Sequence, residues 1–350
     1  MQPTYGIRWL QMVLKVCRGH VCRVAEMAVL SVLSVLLITG NVNAITWTVD
    51  DSGGADFTKI QDAINNAGSK DTILVYSGTY FENVIVNRQL TLRGIDNGGG
   101  QPVVDARRSG SAIFLTTLSK GTNTLEGFKV RNSTASIFWP NAGIRVSSNN
   151  NIIRNNYATN NSIGIYVEYS SNNTLINNNI INGTTLPYYA GFGIVLTSSS
   201  NNRVIANNAS NNGNGIDLRL SSNNTISDNT ANSNLIYGVI LEYHSNNSIL
   251  SGNNISNNYR GIYVISSRDN VIYNNKFNNE RNSWDNENNF WNIPKQAGTN
   301  IIGGPYLGGN YWSDYTGSDT DGDGLGDTLI PYNSSGNITY GGDYLPLTNP

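Results

Sequence analysis

Apolar residues in the middle of the chain recur at every second position behind a glycine, and that phrase returns six times. Gly143-Ile144-Arg145-Val146 is followed by Gly164-Ile165-Tyr166-Val167, Gly193-Ile194-Val195-Leu196, Gly215-Ile216-Asp217-Leu218, Gly238-Val239-Ile240-Leu241 and Gly261-Ile262-Tyr263-Val264, at glycine spacings of 21, 29, 22, 23 and 23. Each copy is followed by a second phrase, such as Asn173-Thr174-Leu175-Ile176 or Asn202-Arg203-Val204-Ile205, and then a weaker third one, such as Asn179-Ile180-Ile181-Asn182. Three short apolar patches per unit of about 22 residues, separated by Asn, Ser and Gly, cannot form helices. They predict three short strands joined by tight turns and repeated as a solenoid. Strand alternation sends the first and third residues after each glycine inward and the second and fourth outward. The corner asparagines suit left-handed backbone and can hydrogen-bond in ladders along the axis.

The two ends read differently. Ile45 to Val49 predicts a first strand. Thr58-Lys59-Ile60-Gln61 has the form of a capping box, with Phe57, Ile60, Ile64 and Ala67 on one helical face and Gly68 closing the helix. One amphipathic helix is expected to cover the open end of the solenoid. Thr72 to Tyr76 opens the coils, which are less regular over residues 101–132. After Phe277 the pattern stops. Residues 279–350, with Trp284, Phe290, Trp291, Tyr306, Tyr311, Trp312 and Tyr315, are expected to form a second lid.

Residues 1–44 change the picture of the mature chain. Arg8, Lys15, Arg18 and Arg23 precede the apolar run Ala28 to Thr39, which ends at Val42-Asn43-Ala44, the order of a cleaved export signal. Twelve apolar residues are too few to span a ~30 Å hydrocarbon core. Cleavage removes both cysteines, all three methionines and His20, so the mature chain holds a single histidine, His244, and no disulfide. It also removes four of 22 basic and one of 24 acidic residues, leaving 18 against 23, a formal net charge of −5. No basic patch for nucleic acid remains. The expected organisation is an export signal over 1–44, a coiled domain with its N-terminal cap over 45–278 and a C-terminal cap over 279–350. The expected product carries no integral membrane span and is secreted, held at the cell surface, or periplasmic in a two-membrane cell.

The phrases Asp56-Phe57-Thr58-Lys59-Ile60-Gln61-Asp62-Ala63-Ile64, Gly78-Thr79-Tyr80-Phe81-Glu82-Asn83-Val84 and Gly309-Asn310-Tyr311-Trp312-Ser313-Asp314-Tyr315 accompany the Asn-rich coils. Together they resemble the NosD-like family of the pectin-lyase-like group, in its archaeal surface-protein form with an Asp-Gly-rich tail. The resemblance spans nearly all of residues 45–350. It implies an all-β, right-handed parallel β-helix of three sheets with an N-terminal amphipathic helix cap. Lyases, hydrolases, epimerases and non-enzymatic adhesins share that architecture, so function has to be read from sites. The family label of periplasmic copper-binding protein calls for Cys, Met or His ligands, and with only His244 in the mature chain no copper is expected.

Three sets of residues carry candidate chemistry. Asp319, Asp321, Asp323 and Asp327, with Gly324 at the sixth position, match the front of a calcium loop, in which alternate carboxylates converge on one hard cation. Position twelve is Ile330 instead of a bidentate Glu, so Asp314 or Asp343 is expected to complete the shell. The outward rows of the Gly-Ile strands place Asp217 and Glu242 about 8 Å apart, within the roughly 6.5–9.5 Å separation of an inverting glycosidase pair. The plainer expectation is that Arg219 pairs with Glu242 on the next coil. Trp139 and Tyr189, each four residues before a glycine, and Tyr166 on the outward face are candidates for stacking on sugar rings. The leading expectation is a non-catalytic protein binding polysaccharide or a cell-envelope component. The alternatives are a polysaccharide hydrolase or lyase using Asp217, Arg219 and Glu242, and a structural scaffold.

Overall fold

The computed structural model describes residues 44–134, 140–183 and 191–348. The strands assemble into parallel sheets wound as a right-handed β-helix, each coil adding one strand to each of three faces. The first face is a ten-stranded sheet running from Thr46–Val49 and Thr72–Tyr76 to Val271–Tyr273, and the second a nine-stranded sheet from Val84–Val86 to Arg281–Asp285. The third runs from Thr79–Tyr80 to Asn208–Ser210, passes through Thr230, which bridges Asn208 on one side and Asn254 on the other, and continues through Asn254–Ser256 and Lys276–Asn278 to Tyr311–Trp312. Residues such as Ile165, Val167, Leu175 and Ile180 point inward and are fully buried. The expected in-and-out alternation holds through the central coils.

The glycine column has a steric cause. A Cβ built on Gly143, Gly164, Gly193, Gly215 or Gly238 lies within 3.0 Å of the carbonyl oxygen of the glycine one coil on, and one built on Gly261 meets the Asn282 oxygen. None of the six has a positive φ. Coil stacking brings backbones together at this point too closely for any side chain.

The corner Asn-Asn pairs divide two tasks between neighbours. Asn155, Asn177, Asn223 and Asn274 take left-handed φ values of 54 to 59°. The residues immediately after them, Asn156, Asn178, Asn224 and Asn275, are at most 2% exposed and hydrogen-bond from coil to coil. One such ladder runs Asn156, Asn178, Asn207, Asn229, Asn253, Asn275, Asn310, with each backbone N–H donating to the next side-chain oxygen at 2.9–3.1 Å. These interior amides satisfy backbone groups at the bends, where the sheet hydrogen bonds lapse.

The helix Ile60–Asn66 buries Ile60, Ala63 and Ile64 against the first strands, so the expected lid is present. Its capping differs from the expectation. Lys59, not Thr58, is the N-cap residue and makes no side-chain cap. Instead, both carboxylate oxygens of Glu82 accept the N–H groups of Ile60 and Gln61, each at 2.9 Å. A carboxylate at a helix N-terminus also complements the helix dipole. Gly68 does not close the helix in a left-handed turn: Ala67 is the C-cap, and the Gly68 N–H donates to Asp71.

The coils extend past residue 278. Arg281–Asp285 continues the nine-stranded sheet, and Tyr311–Trp312 pairs with Lys276 and Phe277. The end is sealed by Phe277, Trp291, Trp312 and Tyr332, with Phe277 and Trp312 stacked at 4.6 Å. Buried carboxylates pin these indoles. Asp285 accepts Trp291 Nε1 at 3.0 Å and Asp343 accepts Trp312 Nε1 at 2.8 Å. Burial pushes Asp285 up to about 6 and Asp343 up to about 7, against the donors around them.

Candidate functional site

The outward face of the nine-stranded sheet carries most of the candidate chemistry. The observed register places Arg145, Tyr166, Val195, Asp217, Ile240 and Tyr263 in one row across adjacent coils. A second row holds Glu168, Thr197, Arg219, Glu242 and Ile265. Both rows are as the alternation predicts. Five of the six strands are longer than the phrase that announced them, because from Gly164 onwards pairing begins one residue before the glycine. This adds a third outward row of Ile163, Phe192, Asn214, Tyr237 and Arg260. Strict alternation would send the residue before the glycine inward with the first residue after it. Ile163 and Phe192 instead pack against Tyr166 and Val195 on the outer face, so the phase changes at the glycine and the sequence pattern alone does not reveal this row.

Across the N-terminal half of this face runs a groove of about 590 Å³, lined by Ile85, Asn87, Phe114, Leu118, Pro140, Arg145, Ser147, Tyr166, Glu168 and Tyr169, among others. Its polar floor is already organised. Glu168 Oε1 accepts Arg145 Nε at 2.6 Å and the Ser147 hydroxyl at 2.7 Å, while the Arg145 guanidinium sits 4.7 Å from the Phe114 ring centroid. Tyr166 is 6% exposed and forms floor more than platform. Tyr169 is 75% exposed at the rim, with φ of 46°. A bulky residue in left-handed backbone is strained, so its exposed ring is held there at some energetic cost. Trp139 and Tyr189 lie outside the described residues.

Farther along, the structure brings Asp217, Arg219 and Glu242 together. Arg219 donates to Asp217 Oδ2 from Nη2 at 2.6 Å and reaches Glu242 Oε1 from Nε at 2.9 Å. Asp217 is 0% exposed, and its Oδ1 has no hydrogen-bond partner. Burial pushes the Asp217 carboxyl above its ordinary range with Arg219 pulling against it, and burial together with the Asp217 charge does the same to Glu242. A guanidinium shared by two carboxylates, one of them inaccessible, is the geometry of a structural ion-pair cluster. A pair acting on a glycosidic bond must reach both sides of it.

In the C-terminal cap, one carboxylate oxygen from each of Asp319, Asp321 and Asp327 falls within 4.8 Å of the others. Asp323 does not join them: it pairs with Lys295, and its Oδ1 accepts the Leu325 N–H. Hydrogen bonds from the Gly324, Gly322 and Asp323 N–H groups hold Asp319 below the usual carboxylate range, and those from Thr320 do the same for Asp327. The two acids expected to complete the shell are engaged elsewhere. Asp343 is buried beneath Trp312, and Asp314 accepts Tyr332 and Asn282. Three hard oxygen donors at this spacing fit a calcium ion. The set does not fit copper: the described residues contain no Cys or Met, and their single histidine, His244, is exposed on a turn.

Comparison with known proteins places this geometry. The chain matches the family described as "Periplasmic copper-binding protein (NosD)" over residues 64–250 and 188–317. No curated protein sequence matches it. Among solved structures it is similar to XylC in complex with xylose, at 12% identity and a TM-score of 0.52, covering 76% of this chain and 74% of that one. It is also similar to the A-module of the Azotobacter vinelandii mannuronan C-5 epimerase AlgE4, at 19% identity and a TM-score of 0.47, covering 62% of this chain and 71% of that one. An alginate lyase from Paenibacillus sp. str. FPU-7 aligns at 14% identity and a TM-score of 0.45, covering 71% of this chain and 97% of that one. At these identities the likeness is one of fold. No helix among the described residues is long and apolar enough to cross a membrane.

Proposed function

Because the chain belongs to the NosD family and a fold does not by itself fix a function, we propose a role from its own sheet face: an exported periplasmic or cell-surface protein that binds carbohydrate without cleaving it. The observation that carries this reading is the groove between Phe114, Tyr166 and Tyr169, with its pre-paired Arg145 and Glu168. Such a site offers apolar ring faces beside fixed hydrogen-bonding groups, the combination that recognises a sugar. The engaged and buried Asp217 supports binding over hydrolysis or lysis.

Tyr169 separates binding from folding. Tyr169→Asn introduces a residue suited to left-handed backbone, so the stability from denaturation is expected to stay level or rise by up to about 1 kcal/mol. Loss of the exposed ring should weaken binding of the best glycan from an array by roughly tenfold, about 1.4 kcal/mol. Unchanged affinity would remove this groove from the site.

The same proposal includes a calcium ion on Asp319, Asp321 and Asp327, with no copper role for this chain. A cation bound only by the folded cap stabilises it by about 2.7 kcal/mol at a hundredfold excess over Kd. Chelation should therefore bring earlier proteolysis after about residue 310, leaving the coils intact, and Asp319→Ala with Asp327→Ala should reproduce it without chelator. Calorimetry showing no calcium heat would refute the assignment.

A further inference from the structure

We infer that the C-terminal end of the same sheet face holds an anion-recognising subsite centred on Arg260, which takes a carboxylate or sulfate carried on a saccharide. Arg260 lies in the row preceding the glycines, in register with Tyr237 on one side and Arg281 on the other. It is 8% exposed, and its Nε is buried with no hydrogen-bond partner. No described carboxylate lies within ion-pairing distance of it. Five other arginines of the sheet faces, Arg93, Arg131, Arg145, Arg154 and Arg219, each pair with Asp or Glu, and Arg203, on the ten-stranded sheet, is exposed to water. Arg281, directly opposite, is also a cation, and like charges in register repel. A buried, unmatched guanidinium beside a second arginine is costly unless an anion comes to it.

The surroundings indicate what carries the anion. The Arg260 guanidinium sits 5.6 Å from the ring centroid of Tyr263 and 5.3 Å from that of Trp284, and Tyr237 stacks on Tyr263 at 5.1 Å. Trp284 is 37% exposed, which leaves apolar ring surface beside the cation. A planar fork of N–H donors next to aromatic rings suits a carboxylate or sulfate on a sugar, bound in two-pronged fashion. The subsite rests on the sheet-face reading only in taking its ligand to be a saccharide, and it shares no residue with the groove at Tyr169.

The test uses the full exported protein with three polymers: dextran, polygalacturonate and dextran sulfate. Wild type is expected to bind one or both anionic polymers at least about tenfold more tightly than dextran, and which of the two identifies the group. Arg260→Met should abolish that preference, leave dextran affinity unchanged and leave the urea midpoint of the free protein level or higher, because the removed charge had no carboxylate partner and Met keeps an apolar contact with the Tyr263 and Trp284 rings. Arg281→Ala, at an exposed position, should reduce the preference by about threefold and remains informative if the first variant does not fold. Equal affinity for all three polymers, no binding of either anionic one, or a preference that survives both substitutions would overturn the subsite. A lower midpoint in Arg260→Met with equal loss for all three polymers would also overturn it, marking a structural arginine. Loss of dextran binding in Tyr169→Asn with the Arg260-dependent preference intact would separate failure of one reading from failure of the other.

Discussion

Gly215→Ala is expected to cost roughly 3 kcal/mol although it adds one methyl group to a glycine with ordinary backbone angles. The new Cβ would stand 2.8 Å from Asn234 Nδ2 and 3.1 Å from the Ala209 oxygen, and closer still to the Gly238 carbonyl oxygen. Two of those atoms are backbone in neighbouring strands, so relief requires two coils to move apart and weaken their shared hydrogen bonds. Gly68→Ala is the control. Its Cβ would meet only the Asp71 carboxylate, at 3.5 Å, and a compatible Gly→Ala change stabilises by about 0.4–1 kcal/mol through the unfolded chain. Urea denaturation of the two variants should therefore move in opposite directions. Equal midpoints would show that coil spacing does not require the glycine column.

Asn223 and Asn224 should respond to substitution very unequally although they are identical neighbours. Asn223 is exposed with φ of 59°, so Asn223→Gly should cost a few tenths of a kcal/mol. Asn224 is 1% exposed. Its oxygen accepts the Asn202 N–H at 2.8 Å, and its amide donates to the Ser199 and Ser221 carbonyls at 3.1 and 2.9 Å. Asn224→Leu keeps the branched shape and heavy-atom count and orphans those three groups, each worth about 1–3 kcal/mol when buried unpaired, for a loss on the order of 4 kcal/mol. Denaturation midpoints for the pair check this directly. A small effect at Asn224 would mean that the interior amides fill space without carrying backbone hydrogen bonds.

The coils were legible because period-two alternation and a glycine every 21 to 29 residues are local signals, and they also set the register that lines up Arg219 with Glu242. What stayed hidden depends on distant partners. Glu82 caps a helix that begins 22 residues earlier, and the local Thr58 capping pattern could not reveal the competitor. The Arg145–Glu168 floor joins residues 23 apart and needs a measured side-chain reach, not only a row. Tyr169 lies just past the repeating phrase and carries no local signal, and only its φ and its exposure together single it out. Asp323 kept the spacing of a calcium ligand while Lys295, 28 residues away, claimed its carboxylate. Local spacing proposes ligands; packing decides which carboxylates remain free to bind.

The nine-stranded sheet face is expected to bind polysaccharide without turning it over. The most direct measurement incubates the wild-type protein with a panel of neutral and acidic polysaccharides and reads two quantities from each mixture: retention by affinity electrophoresis, and new reducing or unsaturated ends by mass spectrometry. The expected result is retention of at least one polysaccharide with no new ends. New ends that disappear in Asp217→Asn would contradict it, and would show that the Asp217–Arg219–Glu242 cluster opens to do chemistry.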